Sequence, residues 1–346
     1  MNAAPNRWAV ALLCIAFLAG ACGSSASPSA TATATAGPES TAAPTSTVAT
    51  PSPSSNSSAA SAGPTATAAT SPSPSATASS GLPDFSHVYV IIMENKEYGS
   101  IVGSKAAPYL NSLIARYGLT TRLYAEAHPS EPNYIALTSG GLQGTDSDGT
   151  YNLAAPNIFE QIQASGRTWH VYAQGYPGNC YRGSISAAVV DGPGAAGQYV
   201  RKHNPAISYT SISGNPASCA DITRLAGFDP AAADFEMIIP NLINDMHSSS
   251  VEAGDEFLKA FLPQIIDSSA FVENSVVFIT WDEGAGSDVQ GGGGHIATIV
   301  MSPAMTPGAR FTGEASHYSI LRTIELAWGL PLLGGASKAS TIALPY

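Results

Sequence analysis

Ser130 is the first residue whose position indicates chemistry. It lies in the segment HPSEPNY, directly before residues 131–139, which we predict to form a helix. Unpaired backbone amides and the positive end of the helix dipole favour an anion at such a position. A nearby divalent cation would lower the pKa of the Ser130 hydroxyl and make it a nucleophile toward phosphate or sulfate esters. The alternative interpretation is an ordinary N-cap serine.

Carboxylate, amide and imidazole side chains follow several apolar runs, at the points where we predict strands to end. In a parallel sheet the carboxyl ends of the strands meet at one edge, and ligands collect there. Oxygen and imidazole donors suit a divalent metal ion. Carboxylates that follow strands, Asp245 among them, could hold such an ion. The residues that we expect to converge with Ser130 are Glu94, Asn95, Asp245, His247, Asp282, Glu283 and His295.

Each of these residues also has a plainer interpretation. Asp282 and Glu283 fit a solvated turn, lone histidines are more often packed or exposed than ligands, and Gly291–Gly294 fit a flexible loop. The occurrence of all these residues together favours a catalytic or metal-binding site, because suitable side chains follow several strands in a chain that is otherwise poor in charge.

The elements that must position these residues alternate along the chain. Short β-branched runs predict buried strands, and apolar residues at helical spacing predict helices between them. This alternation predicts an α/β domain with a mainly parallel central sheet flanked by helices. The predicted strands are 87–92, 119–124, 168–172, 235–239, 275–281 and 296–301. The predicted helices are 108–116, 131–139, 157–164, 255–266 and 319–328.

The charge of the chain is low and unevenly distributed. Charged residues make up 11% of 346 residues, the net charge is −11, and only Arg7 and Glu39 are charged in the first 82 residues. An acidic chain without clustered Lys and Arg is a poor partner for nucleic acid, so we expect none. An apolar content of 44% and a mean hydropathy of +0.08 also argue against a polytopic membrane protein.

The first 82 residues predict export. Residues 1–21 fit a signal peptide, because the apolar run from Ala9 to Ala21 is shorter than the roughly 20 residues that span a bilayer. The sequence LAGAC resembles a bacterial lipobox, which makes Cys22 a candidate for lipidation; the alternative is an ordinary signal peptide on a freely secreted protein. Residues 22–82 are almost only Ser, Thr, Ala, Pro and Gly and predict a disordered linker. The folded domain would occupy residues 83–346.

Cysteine usage agrees with export. Cys14 falls within the predicted signal peptide and Cys22 at its end, which leaves Cys180 and Cys219 in the domain. A single pair in an exported domain predicts a disulfide between them, with two free thiols as the alternative.

Several stretches of the chain resemble one family. They are IIMENKEYGSI, HPSEPNYIALTSG, KHNP, PNLINDMHS, TWDEG and GGGGHIATIVMSP. Together they resemble the bacterial and fungal phosphoesterase family that includes acid phosphatases and non-zinc phospholipases C, within the alkaline phosphatase superfamily. The resemblance spans about residues 85–330 and implies an alkaline-phosphatase-like fold.

The resemblance also implies a role for each matching residue. Ser130 would be the phosphate-accepting nucleophile, and Asn133 would contact phosphate. Glu94, Asn95, Asp282 and Glu283 would surround a metal ion together with Ser130. The remaining group would bind phosphate, line a second cation position or protonate the leaving group: His203, Asn204, His247 and His295.

We therefore expect an exported, metal-dependent phosphomonoesterase that works through a phosphoseryl intermediate. One divalent metal ion is expected, with a second as an open alternative. The expected partner is a small phosphate ester, and membrane contact is expected only through an N-terminal lipid anchor on a monomeric protein. Two alternatives stay open: a phospholipase C acting on phospholipid headgroups, and a surface domain that binds ligands without catalysis.

Overall fold

The computed structural model describes residues 81–186, 191, 198–272 and 274–343. The predicted signal peptide at 1–21, the lipidation candidate Cys22 and the linker up to residue 80 therefore lie outside the described residues. The described residues contain the α/β domain that carries the candidate site.

All nine strands of the described residues belong to one sheet. They are β1 (Val88–Met93), β2 (Gly118–Tyr124), β3 (Trp169–Ala173), β4 (Ile222–Thr223), β5 (Phe235–Ile239), β6 (Val276–Trp281), β7 (His295–Met301), β8 (Ala309–Phe311) and β9 (Ala315–Ser316). The strand order is β4-β3-β5-β1-β6-β7-β2-β8, and β9 also pairs with β2. Every pair is parallel except the two that involve β7, so the predicted mainly parallel sheet is confirmed.

The central strands explain why the chain folds this way. Every residue of β1, β5 and β6 is buried, because helices cover both faces of a parallel sheet. Such strands are continuous apolar runs without alternation, which is the pattern that predicted them. The carboxyl ends of β1, β5 and β6, which are neighbours in the sheet, lead into the segments that hold the acidic site residues.

β7 is the strand that runs against its neighbours in the described sheet. It is antiparallel to both β6 and β2, and His295, its first residue, lies opposite Tyr124 near the end of β2. The reversal places the glycine-rich loop before β7 at the same sheet edge as the ends of β2 and β6.

Helices fill the connections between these strands. They are α1 (Tyr98–Ile101), α2 (Pro108–Arg116), α3 (Ser130–Ser139), α4 (Ile158–Ala164), α5 (Thr210–Ser213), α6 (Pro216–Cys219), α7 (Val251–Phe261), α8 (Pro263–Ile266) and α9 (His317–Ala327). Short 3₁₀ turns lie at Arg201–His203, Pro205–Ser208, Leu225–Gly227 and Gly334–Ser337. No helix in the described ranges combines the length and apolar character needed to cross a membrane.

Capping residues move two helix boundaries away from the predicted ones. α7 begins at Val251 because the Ser250 hydroxyl accepts a hydrogen bond from the amide of Ala253. Pro263 then begins the separate helix α8, where the sequence pattern predicted one continuous helix. α9 begins two residues early because Ser316 and Ser319 form a capping box.

The structure contains the predicted disulfide. Cys180 and Cys219 are bonded, with their Cα atoms 5.5 Å apart, and they tie the segment after β3 to the end of α6. Neither cysteine is a residue of the candidate site, and the bridge joins two segments that are 39 residues apart in the sequence.

Candidate active site

Two neighbouring strands place the central carboxylates. β1 ends at Met93 and β6 at Trp281, so Glu94 and Asp282 emerge side by side from adjacent parallel strands. The amide of Asp282 donates to the Met93 carbonyl at 2.9 Å. Asn95 has a left-handed backbone with φ of 53°, which asparagine tolerates, and its amide donates to Asp282 Oδ1 at 3.1 Å. Both carboxylates are almost completely buried.

Ser130 lies at the start of α3 and faces these carboxylates. Pro129 occupies the N-cap position, and the Ser130 hydroxyl does not cap the helix. Instead it donates to Glu94 Oε2 at 3.1 Å and to Glu283 Oε1 at 3.2 Å. The N-cap interpretation of Ser130 is therefore wrong, because its hydroxyl is committed to two acids from other elements.

Two histidines approach the same carboxylates from separate loops. His203 lies with Nε2 3.2 Å from Glu94 Oε1 and Nδ1 3.4 Å from Asp245 Oδ2. The rings of His203 and His247 lie 5.6 Å apart. One donor atom from each of Glu94, His203 and His247 lies within 4.8 Å of the other two, a spacing that can hold a metal ion.

The loop after β5 is shaped to bring Asp245 and His247 into the cluster. Met246, between them, has a φ of 81°, a left-handed value that is rare outside Gly and Asn. The Asp245 carbonyl accepts from the amide of Glu94 at 2.7 Å, and the Met246 carbonyl accepts from Lys96 Nζ at 2.7 Å. The sequence alone contains no signal for this conformation.

The electrostatics of the site are those of crowded, buried acids. Burial, followed by repulsion from Asp282 and Asp245, raises the pKa of Glu94 well above its ordinary value. Burial also raises the pKa of Asp245 and of Asp282, and it raises the pKa of Glu283 to about 7. A cation bound among these groups would favour their ionised forms.

The donor set fits a divalent cation. Asp245 Oδ2, Asp282 Oδ2 and both ring nitrogens of His203 make no hydrogen bond within the described residues, although all are buried. Buried polar atoms are normally paired, so these unpaired oxygen and nitrogen atoms fit the ligands of a cation. Burial, then Lys202 and His247, lowers the pKa of His203 well below its ordinary value, which keeps the ring neutral as a metal ligand must be.

Two residues that the sequence did not single out complete the surroundings of the carboxylates. The Tyr134 hydroxyl donates to Glu94 Oε1, and its ring stacks on His203 with centroids 5.3 Å apart. His128 pairs through Nδ1 with Glu283 Oε2, and its Nε2 contacts the Asp288 carbonyl at 2.7 Å. Tyr134 was accessible from the sequence, because it follows Ser130 by four residues on one helix face.

The structure leaves two of the expected site residues outside the cluster. The Asn133 amide is committed to the loop before Ser130: Oδ1 accepts from the amides of Glu126 and Ala127 at 3.0 Å, and Nδ2 donates to the Ala127 carbonyl at 2.7 Å. In the described residues Asn133 therefore shapes the loop that leads to Ser130.

His295 lies at the expected sheet edge, but its side chain contacts residues outside the carboxylate cluster. Its ring stacks with Tyr98, at 4.3 Å between centroids, and its Nε2 contacts the Thr121 carbonyl at 3.0 Å. Asn204, in contrast, is buried next to His203; its Nδ2 donates to Tyr199, and its Oδ1 has no partner among the described residues.

The glycine run before β7 is a packed element rather than the flexible loop that was the plainer interpretation. A Cβ on Gly292 or Gly293 would overlap the carbonyl oxygen of Glu126 or Ala127. The amide of Gly293 donates to the Ala125 carbonyl at 2.9 Å. These residues must be glycine because the loop backbone lies directly on the segment that leads to Ser130.

Comparisons with known proteins identify the family of the chain. The model of the Phosphoesterase family matches residues 103–331. A phosphatidylinositol-3-phosphatase of Mycobacterium tuberculosis is 33% identical over 267 residues, which cover 77% of this chain and 84% of that protein. A probable acid phosphatase of Kluyveromyces lactis is 28% identical, over 72% of this chain and 60% of that protein. This chain thus spans less than two thirds of the fungal relative.

A solved structure shows the same fold. A protein of the alkaline phosphatase superfamily from Vibrio parahaemolyticus superposes with a TM-score of 0.50 at 13% identity, over 74% of this chain and 70% of that one. The fold and the sequence matches define a hydrolase that acts on phosphoric ester bonds. The chain belongs to the Phosphoesterase family, as its motifs indicated.

Proposed function

We propose that this protein is an exported, metal-dependent phosphomonoesterase that works through a phosphoseryl intermediate. The observation that carries the proposal is the Ser130 hydroxyl, which lies 3.1 Å from Glu94 Oε2 and 3.2 Å from Glu283 Oε1 at the start of a helix. A nucleophile and two proton acceptors thus meet at one point, at the positive end of the α3 dipole.

The residues that would hold a divalent cation form two neighbouring sets that share Glu94. One set comprises Asn95, Ser130, Asp282 and Glu283, and the other comprises Asp245, His203 and His247. When bound, the cation would stabilise the negative charge of the phosphate and lower the pKa of the Ser130 hydroxyl. One cation is the simpler proposal, and the second set supplies the position for another.

The chain's own groups account for the transfer. In the first step a bond forms between Ser130 Oγ and phosphorus while the bond from phosphorus to the leaving oxygen breaks. The Ser130 proton passes to the Glu283 carboxylate, and the leaving oxygen departs as the alcohol after taking a proton from solvent. In the second step the oxygen of a water molecule forms a bond to phosphorus while the bond from phosphorus to Ser130 Oγ breaks. The water releases one proton to solvent, Ser130 Oγ recovers its proton from Glu283, and inorganic phosphate leaves.

Replacement of Ser130 tests the proposal directly. Ser130→Ala should abolish release of p-nitrophenol from p-nitrophenyl phosphate, and chelation of divalent cations should do the same to the unmodified enzyme. Ser139→Ala is the matched control, because the hydroxyl of this buried serine donates to the carbonyls of Ile135 and Gly141 and accepts from Gln143 Nε2, none of which is a site residue. Activity of Ser130→Ala within a few fold of the unmodified enzyme would overturn the proposed nucleophile.

A phosphoinositide monoester is the second candidate substrate. The relative at 33% identity bears the name phosphatidylinositol-3-phosphatase, which describes removal of a monoester phosphate from a lipid headgroup. Assays with phosphatidylinositol 3-phosphate, p-nitrophenyl phosphate and p-nitrophenylphosphorylcholine separate a lipid monoesterase, a general monoesterase and a phospholipase C. Turnover of the diester alone would favour the phospholipase, and turnover of none would favour a binding domain.

Export is the proposal for location. The predicted signal peptide and linker support it, and so does the disulfide, because disulfides persist in oxidising compartments. Lipidation of Cys22 would anchor the linker to a membrane. Labelling with a radioactive fatty acid should mark the unmodified protein and fail to mark Cys22→Ser.

A further inference from the structure

A cavity of about 220 Å³ lies beside the candidate active site. Four larger cavities in the described residues, of 340, 430, 570 and 730 Å³, have no site residue in their walls. The smaller one differs because two separate parts of its wall are bonded to the site. The lining residues that matter to its chemistry are Asp148, Gly149, Thr150, Ile185, Val200 and Lys202.

The first connection runs through the residue that follows the nucleophile. The backbone amide of Glu131 donates to Asp148 Oδ1 at 3.1 Å, and the amide of Gly149 donates to Glu131 Oε2 at 2.7 Å. Glu131 is buried and directly follows Ser130 in α3. One wall of the cavity is therefore fixed to the start of the nucleophile helix.

The second connection runs through Lys202, which precedes the buried His203. Lys202 Nζ lies 2.7 Å from Asp148 Oδ2 and 3.4 Å from His247 Nε2. The ammonium thus stands on the boundary between the cavity and the histidine side of the carboxylate cluster. A substrate whose phosphorus faces Ser130 would therefore extend its leaving group toward this cavity.

The walls show which chemistry the cavity would accept. Ile185 is 53% exposed, an unusual state for a large apolar side chain, and Val200 supplies a second branched apolar surface. The only charged groups in the wall, Lys202 and Asp148, neutralise each other as an ion pair. Among the described residues no aromatic side chain lines it, so this part of the wall lacks the ring faces that bind quaternary ammonium groups such as choline.

We propose that this cavity is the leaving-group subsite of the enzyme and that it favours phosphomonoesters of uncharged, apolar or aromatic alcohols. This inference rests on the proposed phosphomonoesterase function and adds the substrate class. Burial of the alcohol against Ile185 and Val200 supplies binding energy that a methyl or sugar alcohol cannot obtain.

The test compares two substrates across two variants. Phenyl phosphate reaches the cavity with its ring, whereas methyl phosphate has no group that fills it. Ile185→Asp places a charge in the apolar wall, and because Ile185 is half exposed the variant should fold. Val272→Asp is the matched control: Val272 is also branched and 43% exposed, but it lies before β6, at the opposite edge of the sheet.

The measured quantity is the ratio of kcat/KM for phenyl phosphate to kcat/KM for methyl phosphate. The two esters differ in intrinsic reactivity, but that difference is the same for every variant, so it cancels when the ratios of the variants are compared. Ile185→Asp should lower this ratio about tenfold, the usual effect of losing a small apolar contact in a pocket, and Val272→Asp should leave it unchanged. An unchanged ratio in Ile185→Asp, or an equal loss in both variants, would overturn the subsite. If the unmodified enzyme hydrolyses neither ester, the phosphomonoesterase proposal itself fails.

Discussion

Glu236 should make the stability of this protein depend on pH. This glutamate lies on β5, fully buried, with Tyr89 of β1 and His170 of β3 opposite it in the neighbouring strands. Its Oε1 accepts from the amide of Ala233 at 3.3 Å, and its Oε2 has no partner among the described residues. Burial, with repulsion from Asp229 as a smaller cause, raises its pKa from 4.5 to about 8.

The direction of the effect follows from where the proton is bound. Between pH 4.5 and about 8 the folded protein keeps the proton on Glu236, whereas the unfolded chain releases it. The free energy of unfolding therefore falls as pH rises through this window. At about 1.36 kcal/mol per pKa unit, the loss between pH 5 and pH 7 is about 2.5 kcal/mol.

Glu236→Gln removes this dependence, because the amide has no proton to lose. Urea denaturation at pH 5, 6 and 7 should show the variant gaining about 2.5 kcal/mol over the unmodified protein across the series. Glu256→Gln makes the same chemical change on the exposed face of α7 and is the control. If the difference between Glu236→Gln and the unmodified protein stays constant with pH, Glu236 is not protonated in the folded state and the reasoning fails.

Two further predictions concern the site. Tyr134→Phe removes the hydrogen bond to Glu94 and should raise the divalent-cation concentration needed for half-maximal activity by about 10- to 100-fold; an unchanged requirement would contradict a role in holding the ligand. Gly293→Ala should lower the free energy of unfolding by about 1–3 kcal/mol, because the added Cβ would overlap the Ala127 carbonyl. Both the unfolding temperature and the activity should fall as a result. Gly286→Ala, in the same loop but with open space around its Cβ, should change neither.

Much of the fold was predictable because its strands are buried on both faces. Residues such as Val88–Met93 and Val276–Trp281 form unbroken apolar runs, and Phe235–Ile239 has the same boundaries in sequence and structure. Capped helix starts were harder, since the hydroxyl of Ser250 extends α7 by four residues beyond its apolar pattern. The reversed direction of β7 has no local signal, because an antiparallel strand buried in this sheet has the same composition as a parallel one.

The site was predictable where a residue directly follows a strand. Glu94 and Asp282 converge because their strands are neighbours, and Ser130 because α3 begins at the same sheet edge. The sequence did not show which candidate histidines lie in the site, because none of them directly follows a strand. His203 meets the cluster and His295 does not, although both follow loops with suitable motifs.

The sequence by itself determined the class of fold, the helix start at Ser130, the acidic strand ends and the cysteine pair, because each depends on local composition or on short spacing. Tertiary structure alone decided which side chains share the site. The left-handed turn at Met246, the close approach of Gly293 to Ala127 and the contact of Tyr134 with Glu94 each join segments far apart in the chain. Such contacts follow from strand order and loop conformation, which local apolar periodicity does not encode.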